Sequence, residues 1–464
     1  MRRFSRSERH KVVRILLVVH RFPPDSVGGT ELYTLRLAQG LMGMGVDVQV
    51  LTYAPGDTSE VTFEDTEYLG IPLRRLSFSL DSTDNPILQE YDNARVAACL
   101  REACADFRPH LLHVTHFGYL STSVIAGAEA LGIPSIATIT DMWPLCPAGL
   151  LLRSDDTLCE GPGEIGACVR CYAEMGPRGA PYASTVRLIP EWVWRLAAAL
   201  AKRGPFRSMR YMPWLNALVQ RPDVIRERLL KCRAILCPGS FLREMLVRNG
   251  YPAERLQVIP HGISAPQTLR RHTPIATEPI LRFGYVGQLA RHKGAHLPLR
   301  SFVRMPSDVS TSLTYWGPRP KPETSDPYSR SLIRRIDSTL GVSHRGAYAY
   351  EDVRGVMEGL DVLIVPSLCY ENTPTIIYEA LASGTPVIAS DQGGMRELVQ
   401  EYNGGWLSPR GNVAALTKLM TRLANDRQEV RRVAAGIRPV PSLEAHTQKV
   451  SLLYRQILGQ GDGA

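Results

Sequence analysis

No apolar run in this 464-residue sequence approaches the roughly 20 residues needed to cross a bilayer. The N-terminus, "MRRFSRSERHKVVRILLVVHRF", is basic, but "ILLVV" is too short for the apolar core of a secretory leader and no small-residue cleavage site follows. A cytoplasmic location is therefore expected. Nothing in the chain resembles a groove-reading helix or an RNA-binding sheet, so nucleic acid is not an expected partner. Basic charge, by contrast, is in excess and unevenly placed. Of the net +9, residues 1–14 and 176–230 together contribute +12, which leaves −3 for the remainder. The second segment also holds three of the six tryptophans, in "EWVWRLAAALAKRGPFRSMRYMPWLNAL". Basic side chains interleaved with Trp and aliphatics suit a helix lying in a membrane interface, which makes an anionic membrane surface an expected partner. The alternative is an amphipathic insertion packed on its own domain with a solvated basic face.

What is present is alternation. The length favours two domains. "VRILLVV" (13–19) reads as a buried strand, "TELYTLRLAQGLMGMG" (30–45) as a helix and "VDVQVLTY" (46–53) as strand again; "HLLHVTH", "PSIATIT" and "AILCPGS" continue the series. The rhythm breaks at "HGISAPQTLRRHTPIATEP" (261–279) and restarts with "LRFGYVGQL", "TSLTYWG", "VSHRGAY", "LDVLIVPS" and "PVIAS". Apolar strands separated by helices are the signature of a parallel sheet covered on both faces. The expected class is α/β, with two doubly wound, Rossmann-like domains: residues 1–265, carrying an insertion over about 141–230, and residues 266–442. A final helix, "LEAHTQKVSLLYRQIL", closes the chain within 443–464.

Each half opens with a strand, a glycine-bearing loop and a helix. In open α/β sheets ligands lie beyond the carboxyl ends of the strands, where glycine admits a phosphate close to the backbone and helix N-termini offer free amides. Gly28 and Gly29 fit that role in the first half; Lys293, beside Gly294, adds a cation in the second. Neither loop is a dinucleotide fingerprint, and the second is not a phosphate-binding P-loop. In "CYENTPTIIYEALASGTPVIASDQGG", Glu371 follows a strand, Thr373, Pro374 and Thr375 open a helix with Pro374 at its first position, and Glu379 lies one to two turns on. A carboxylate near each end of a site with free amides between them suits a ligand with hydroxyls at both ends and phosphate in the middle, the shape of a nucleotide-sugar.

The pattern E-N-x-P-x-x-x-x-E-A-x-A-x-G-x-P-V-I-A-S-x-x-G-G-x-x-E resembles the retaining glycosyltransferases of family four, which have the GT-B fold. The likeness extends over "FPPDSVGGTELYTLRLAQGLMGMGVDVQVLT", "CPGSFLREMLVRNGYPAERLQVIPHGI" and "YVGQLARHKG". It implies two domains facing a cleft, with the last helix crossing back to the first. It further implies that Glu371 touches the donor sugar, Glu379 the ribose, Lys293 the donor, and Gly29 the donor phosphates; Gly287 and Asn372 fall within the same motifs. The implied reaction moves a sugar from a nucleoside-diphosphate donor to a glycan or lipid-linked acceptor with retention, in cell-surface polysaccharide or glycoconjugate synthesis. No catalytic metal is expected, and no D-x-D metal motif sits at a strand end. The arginine common after the glycine of "VGR" is Gln288, so Arg291 is the candidate replacement. His116 is the acceptor-side candidate. A nucleotide-sugar epimerase on the same fold and a non-catalytic nucleotide-sugar-binding subunit are the alternatives.

Cys146, Cys159, Cys168 and Cys171 stand apart, four cysteines in 26 residues ending in C-x-x-C among Gly and Pro. That spacing suits a tetrahedral thiolate site, so structural zinc is expected, an iron–sulfur cluster being the alternative. Cys99, Cys104, Cys232, Cys237 and Cys369 read as small residues of helices, strands and a strand-end loop, with Cys369 beside Glu371.

Overall fold

The computed structural model describes residues 12–175, 183–186, 188–203, 212–264, 280–321, 325–349 and 352–459. Its first sheet is built from β1 (Arg14–Val19), β2 (Asp47–Pro55), β3 (Thr62–Tyr68), β4 (Ile71–Phe78), β5 (Leu111–Val114), β6 (Ser135–Thr138), β7 (Ala234–Cys237) and β8 (Leu256–Val258), in the order β3-β4-β2-β1-β5-β6-β7-β8. The second holds β9 (Leu281–Val286), β10 (Thr311–Trp316), β11 (Val342–His344), β12 (Val362–Val365), β13 (Val387–Ser390) and β14 (Gly405–Ser408), ordered β11-β10-β9-β12-β13-β14. Every pairing is parallel except β3 with β4.

The central strands are short and aliphatic because helices cover both faces. Ile15 to Val19 are wholly buried, and β5, β6, β7, β12 and β13 are buried along their length. In each sheet the chain order reverses beside the first strand: β1 lies between β2 and β5, and β9 between β10 and β12. That reversal opens a crevice at the carboxyl ends of the strands, and it is there that the functional loops fall. Most of the proposed linker, residues 265–279, lies outside the described residues.

The last helix, Leu443–Ile457, returns to the N-terminal domain. Val450, Leu453 and Tyr454 join the core of Ile15, Leu17 and Leu41, and Gly40 lets Thr447 approach, since a side chain there would meet its hydroxyl at 2.5 Å. His113, on β5, is bonded at both ring nitrogens, to Tyr454 Oη at 2.6 Å and Thr138 Oγ1 at 2.7 Å. Burial, reinforced by His446, pulls the His113 pKa down to about 3. The unfolded chain takes up a proton below about 6.5 that the folded one refuses. Stability from this group is therefore complete above pH 6.5 and is lost as pH falls towards 3, at about 1.4 kcal/mol per pH unit. Between pH 7 and 5 the wild type should lose about 2 kcal/mol more than His113→Gln in denaturant titrations; parallel pH profiles would show that this histidine is not the acid-sensitive group.

Candidate active site

The C-terminal half of the cleft is shaped by close backbone contacts. Gly294 adopts φ +64°, and a side chain on it would come within 2.0 Å of the Pro366 carbonyl, so the loop after β9 can press on the loop after β12 only with glycine here. That contact sets Lys293 against Glu371: Nζ donates to Oε1 at 2.7 Å. Ser367 Oγ donates to the same oxygen at 2.8 Å, and Cys369 Sγ lies 3.8 Å from it. Burial pushes the Glu371 pKa up, but Lys293 and Ser367 outweigh it and hold the carboxyl below its usual range. Lys293 mirrors this, since burial pulls it down and Glu371 raises it further, with a net rise. The pair is ionised, and the hydrogen bonds from Lys293, Ser367 and Cys369 all fall on Oε1, which leaves Oε2 able to accept from a ligand hydroxyl.

The Gly-Gly pair serves the same loop. A side chain at Gly394 would sit 1.3 Å from the Asn372 carbonyl, and the Gly394 N–H donates to the Glu371 carbonyl at 3.1 Å. The helix Gly393–Glu401 thereby starts directly behind the Glu371 segment. Gln392 Nε2 fastens the segment further by donating to the Ser367 and Cys369 carbonyls at 3.0 and 2.7 Å.

Pro374 is the N-cap of the Thr375–Ala382 helix rather than its first residue. Its extended ψ of 116° turns the chain into the helix, which begins one residue later than the proline pattern suggests. Across the cleft, a side chain at Gly29 would lie 3.8 Å from Thr375 Oγ1, while Gly28 leaves room for the Glu31 carboxylate. Asn372 Nδ2 donates to the Ile139 carbonyl at 3.2 Å, and Asn372 Oδ1 and Thr373 Oγ1 are buried without a partner. Lys293, Glu371, Asn372, Thr373, Thr375 and Gly29 thus converge. Gly287, at the end of β9, is held by a hydrogen bond from its N–H to the Trp316 carbonyl at 2.9 Å.

Glu379 is at the cleft but already engaged. Its Oε1 accepts from Arg36 Nη2, on the Gly29–Gly43 helix, at 2.9 Å, with both side chains over nine-tenths buried. Burial drives the Glu379 pKa up despite Arg36, and drives Arg36 down despite Glu379. Any ribose that takes Glu379 must share it with Arg36.

The N-terminal half of the cleft gathers around His116. Its Nδ1 accepts from the Gly118 N–H at 2.9 Å, which leaves the ring proton on Nε2 to donate to Asp141 Oδ2 at 3.0 Å. Burial lowers its pKa, but Asp141 overrides this and raises it. The His20 ring lies 4.0 Å from that of His116, tilted by 43°, and burial together with His116 takes its pKa down to about 2. These groups line a cavity of about 630 Å³ with Arg21, Asp81, Glu90 and Tyr172. A larger depression of about 950 Å³, lined by Trp406, Lys418 and Arg422, contains none of the residues above.

The insertion does more than border the His116 cavity. Its hairpin, closed by the Leu152–Leu158 bridge, reaches the C-terminal domain, where Leu152 joins the core of Phe283 and Leu289. Asp156 meets Arg291 at 2.6 Å, its carbonyl accepts from Arg410 at 2.9 Å, and Glu160 accepts from Tyr370 at 3.1 Å. Arg291 is therefore a strap contact with 64% of its side chain exposed, not a group turned to the Lys293–Glu371 pair. Cys168 and Cys171 lie one turn apart on the helix Ile165–Met175, and all nine cysteines are free thiols. Burial raises Cys168 to about 12 and Cys171 to about 11, with Cys146 and Cys159 adding to both, so the four thiols are gathered. Among the described residues, however, no group of three or more His, Cys, Asp or Glu is arranged to hold a metal ion. The thiols as placed do not form a cage.

Several contributors escaped sequence reasoning. Glu397, in the motif but given no role there, accepts from the Ser240 and Phe241 amides at 2.6 and 2.9 Å and so caps the Ser240–Arg248 helix of the other domain. Sequence reasoning also passed over Arg36, whose one available signal is a charge in an otherwise apolar helix face, and Asp141, which lies two residues before Trp143.

Two family models match the chain: "Glycosyl transferases group 1" over residues 281–426 and "Glycosyl transferase 4-like domain" over residues 28–186. The 2-deoxystreptamine N-acetyl-D-glucosaminyltransferase of Streptomyces fradiae is 27% identical over 428 residues, 89% of this chain and 87% of that one. The amylovoran biosynthesis glycosyltransferase AmsK of Erwinia amylovora is 26% identical, covering 60% of this chain and 70% of its own. Among solved structures, sucrose-phosphate synthase of Thermosynechococcus elongatus superposes with a TM-score of 0.61 at 17% identity, over 96% of this chain and 99% of that one. Anabaena HepE, in complex with UDP and glucose, gives 0.57 at 16% identity, over 96% and 98%. The two sheets facing one cleft are the GT-B architecture. The chain belongs to the GT-B glycosyltransferases of family-four type.

Proposed function

We propose that this glycosyltransferase is a retaining enzyme that moves a hexose from a nucleoside-diphosphate sugar to a hydroxyl of a glycan or lipid-linked acceptor. Its place would be cell-surface polysaccharide or glycoconjugate synthesis, in the cytoplasm at the inner face of the membrane. The observation that carries this reading is the ionised Lys293–Glu371 pair where the loops after β9 and β12 meet. In this reading the bond from the sugar C1 to the diphosphate is exchanged for one to the acceptor oxygen, and the acceptor proton leaves with the diphosphate. Lys293 faces the charge that grows on the leaving group, where a fixed cation in a dry site stabilises the transition state. Glu371 orients the sugar through its hydroxyls, and Glu379 takes the ribose as it shares or yields Arg36. Asp141 and His116 line the acceptor cavity. No divalent cation is assigned to the transfer step. The transferase relatives and the separate acceptor cavity favour this over an epimerase or a binding subunit.

Calorimetric titration with a panel of nucleoside diphosphates and their sugars tests the reading. One nucleotide should bind, at least tenfold more weakly to Glu379→Ala and Lys293→Ala (~1.4 kcal/mol); binding by none would remove the donor assignment. The four gathered thiols are proposed as a structural zinc site, or else an iron–sulfur site, which their side chains must move to complete. Purified protein should then carry about one metal equivalent, lost in Cys168→Ser and Cys171→Ser together with thermal stability. Metal-free protein that melts unchanged after chelator treatment would end that proposal.

A further inference from the structure

The Glu191–Arg203 helix of the insertion has two unlike faces. Inward, Ala198 and Ala201 are buried and Trp194 packs on the N-terminal core. Gly166 lets this helix press on Ile165–Met175: a side chain at Gly166 would lie 2.9 Å from the Arg195 Cα. Outward, the same helix presents Trp192 at 65% exposure and Leu196, one turn on, at 51%, with Leu188 just ahead of the helix at 82%. A tryptophan and two leucines this bare are not needed by the core they border. Ala199 and Lys202 complete the exposed face, where Arg195 is neutralised by Glu191 and Glu164 at 3.1 and 2.9 Å.

The surrounding sequence is cationic. From Arg187 to Arg210 it holds six basic residues and one acidic, Glu191. Arg187, Arg207 and Arg210 lie outside the described residues, and their charge is counted from the sequence alone. Exposed Trp and Leu amid unbalanced Lys and Arg complement one kind of surface, an apolar slab beneath anionic headgroups. The acceptor cavity adjoins this unit: Tyr172, on the helix against which Glu191–Arg203 packs, lines the cavity and meets Trp214 edge-on at 5.6 Å.

Resting on the acceptor reading above, we propose that Leu188, Trp192 and Leu196 form a membrane-docking face that enters the headgroup region of an anionic leaflet and brings the acceptor cavity to the lipid surface. No helix among the described residues is long and apolar enough to cross a membrane, and the face proposed here lies on the surface.

The test is co-sedimentation of the full chain with vesicles of phosphatidylcholine alone or with one third phosphatidylglycerol, at low and high salt. Wild type should bind the anionic vesicles, less at high salt, and the triple variant Leu188→Ser, Trp192→Ser, Leu196→Ser should bind roughly tenfold or more weakly. Calorimetry on the same samples separates the two ideas, since nucleotide affinity should be unchanged in the triple variant. Equal sedimentation of wild type and variant would overturn the proposal. So would failure of wild type to bind, or a loss confined to self-association in analytical ultracentrifugation.

Discussion

On the proposed mechanism, Lys293→Ala should lower the rate of sugar transfer by about 10²–10³-fold, the usual cost of removing one fixed group that stabilises charge in a transition state. The site amplifies the effect. Lys293 is the foremost neighbour that holds Glu371 ionised against burial. Without it the carboxyl should move towards its neutral form, so that in the proposed mechanism the sugar loses a strong acceptor along with the phosphate's cation. The fold should survive, because Lys293 sits on a loop with about a third of its side chain exposed and the Gly294–Pro366 contact remains. Glu371→Gln separates the contributions, since it keeps the shape and removes the charge. Release of nucleoside diphosphate in single-turnover assays gives the comparison. A loss below tenfold in Lys293→Ala, with donor still bound, would place the leaving-group cation elsewhere.

Arg36→Leu should destabilise the folded chain by about 3–5 kcal/mol, the cost of stripping one partner from a buried ion pair. The loss is pH-dependent in a definite direction. Burial already lifts Glu379 from 4.5 to about 7 with Arg36 in place. Once Arg36 is gone nothing opposes burial, so the folded pKa rises further and the variant departs from wild type above neutrality. Such a group contributes fully below pH 4.5 and loses its contribution as pH rises through the folded value. The variant should therefore approach wild-type stability in mild acid and fall away above neutrality. Adding Glu379→Gln should recover most of the difference, because no charge is left unpaired. Denaturant titrations across pH measure all three proteins, and a loss below about 1 kcal/mol at pH 8 would mean that water reaches the pair.

Elements that depend on burial were readable from the chain, and those that depend on distant partners were not. β1, β5, β7, β12 and β13 are aliphatic runs between helices, so composition alone marks them. β3, "TFEDTEY", is an exposed antiparallel edge, and β4 carries Pro72, Arg74 and Arg75; neither pattern announces a strand. Arg74 is nonetheless buried, held by Asp65 and Asp106 at 2.6 and 2.8 Å. In the site, Glu371, Lys293 and the glycines follow from a local motif. The Arg36–Glu379 and Arg291–Asp156 pairs join residues 343 and 135 positions apart, and no local pattern encodes that meeting. The four cysteines were legible as a cluster because their spacing is local.

The strap formed by the insertion changes the kind of motion available to the cleft. Two domains joined by a linker and one returning helix could swing apart by degrees, each small angle costing little. Here Leu152 is seated in the apolar core of the opposite domain, and Asp156 and Glu160 are tied to Arg291, Arg410 and Tyr370. Unseating a leucine costs about 2 kcal/mol before any ion pair is broken, and none of that is returned until the side chain clears its socket. Separating the two domains there therefore meets a threshold, and the insertion acts as a catch between them.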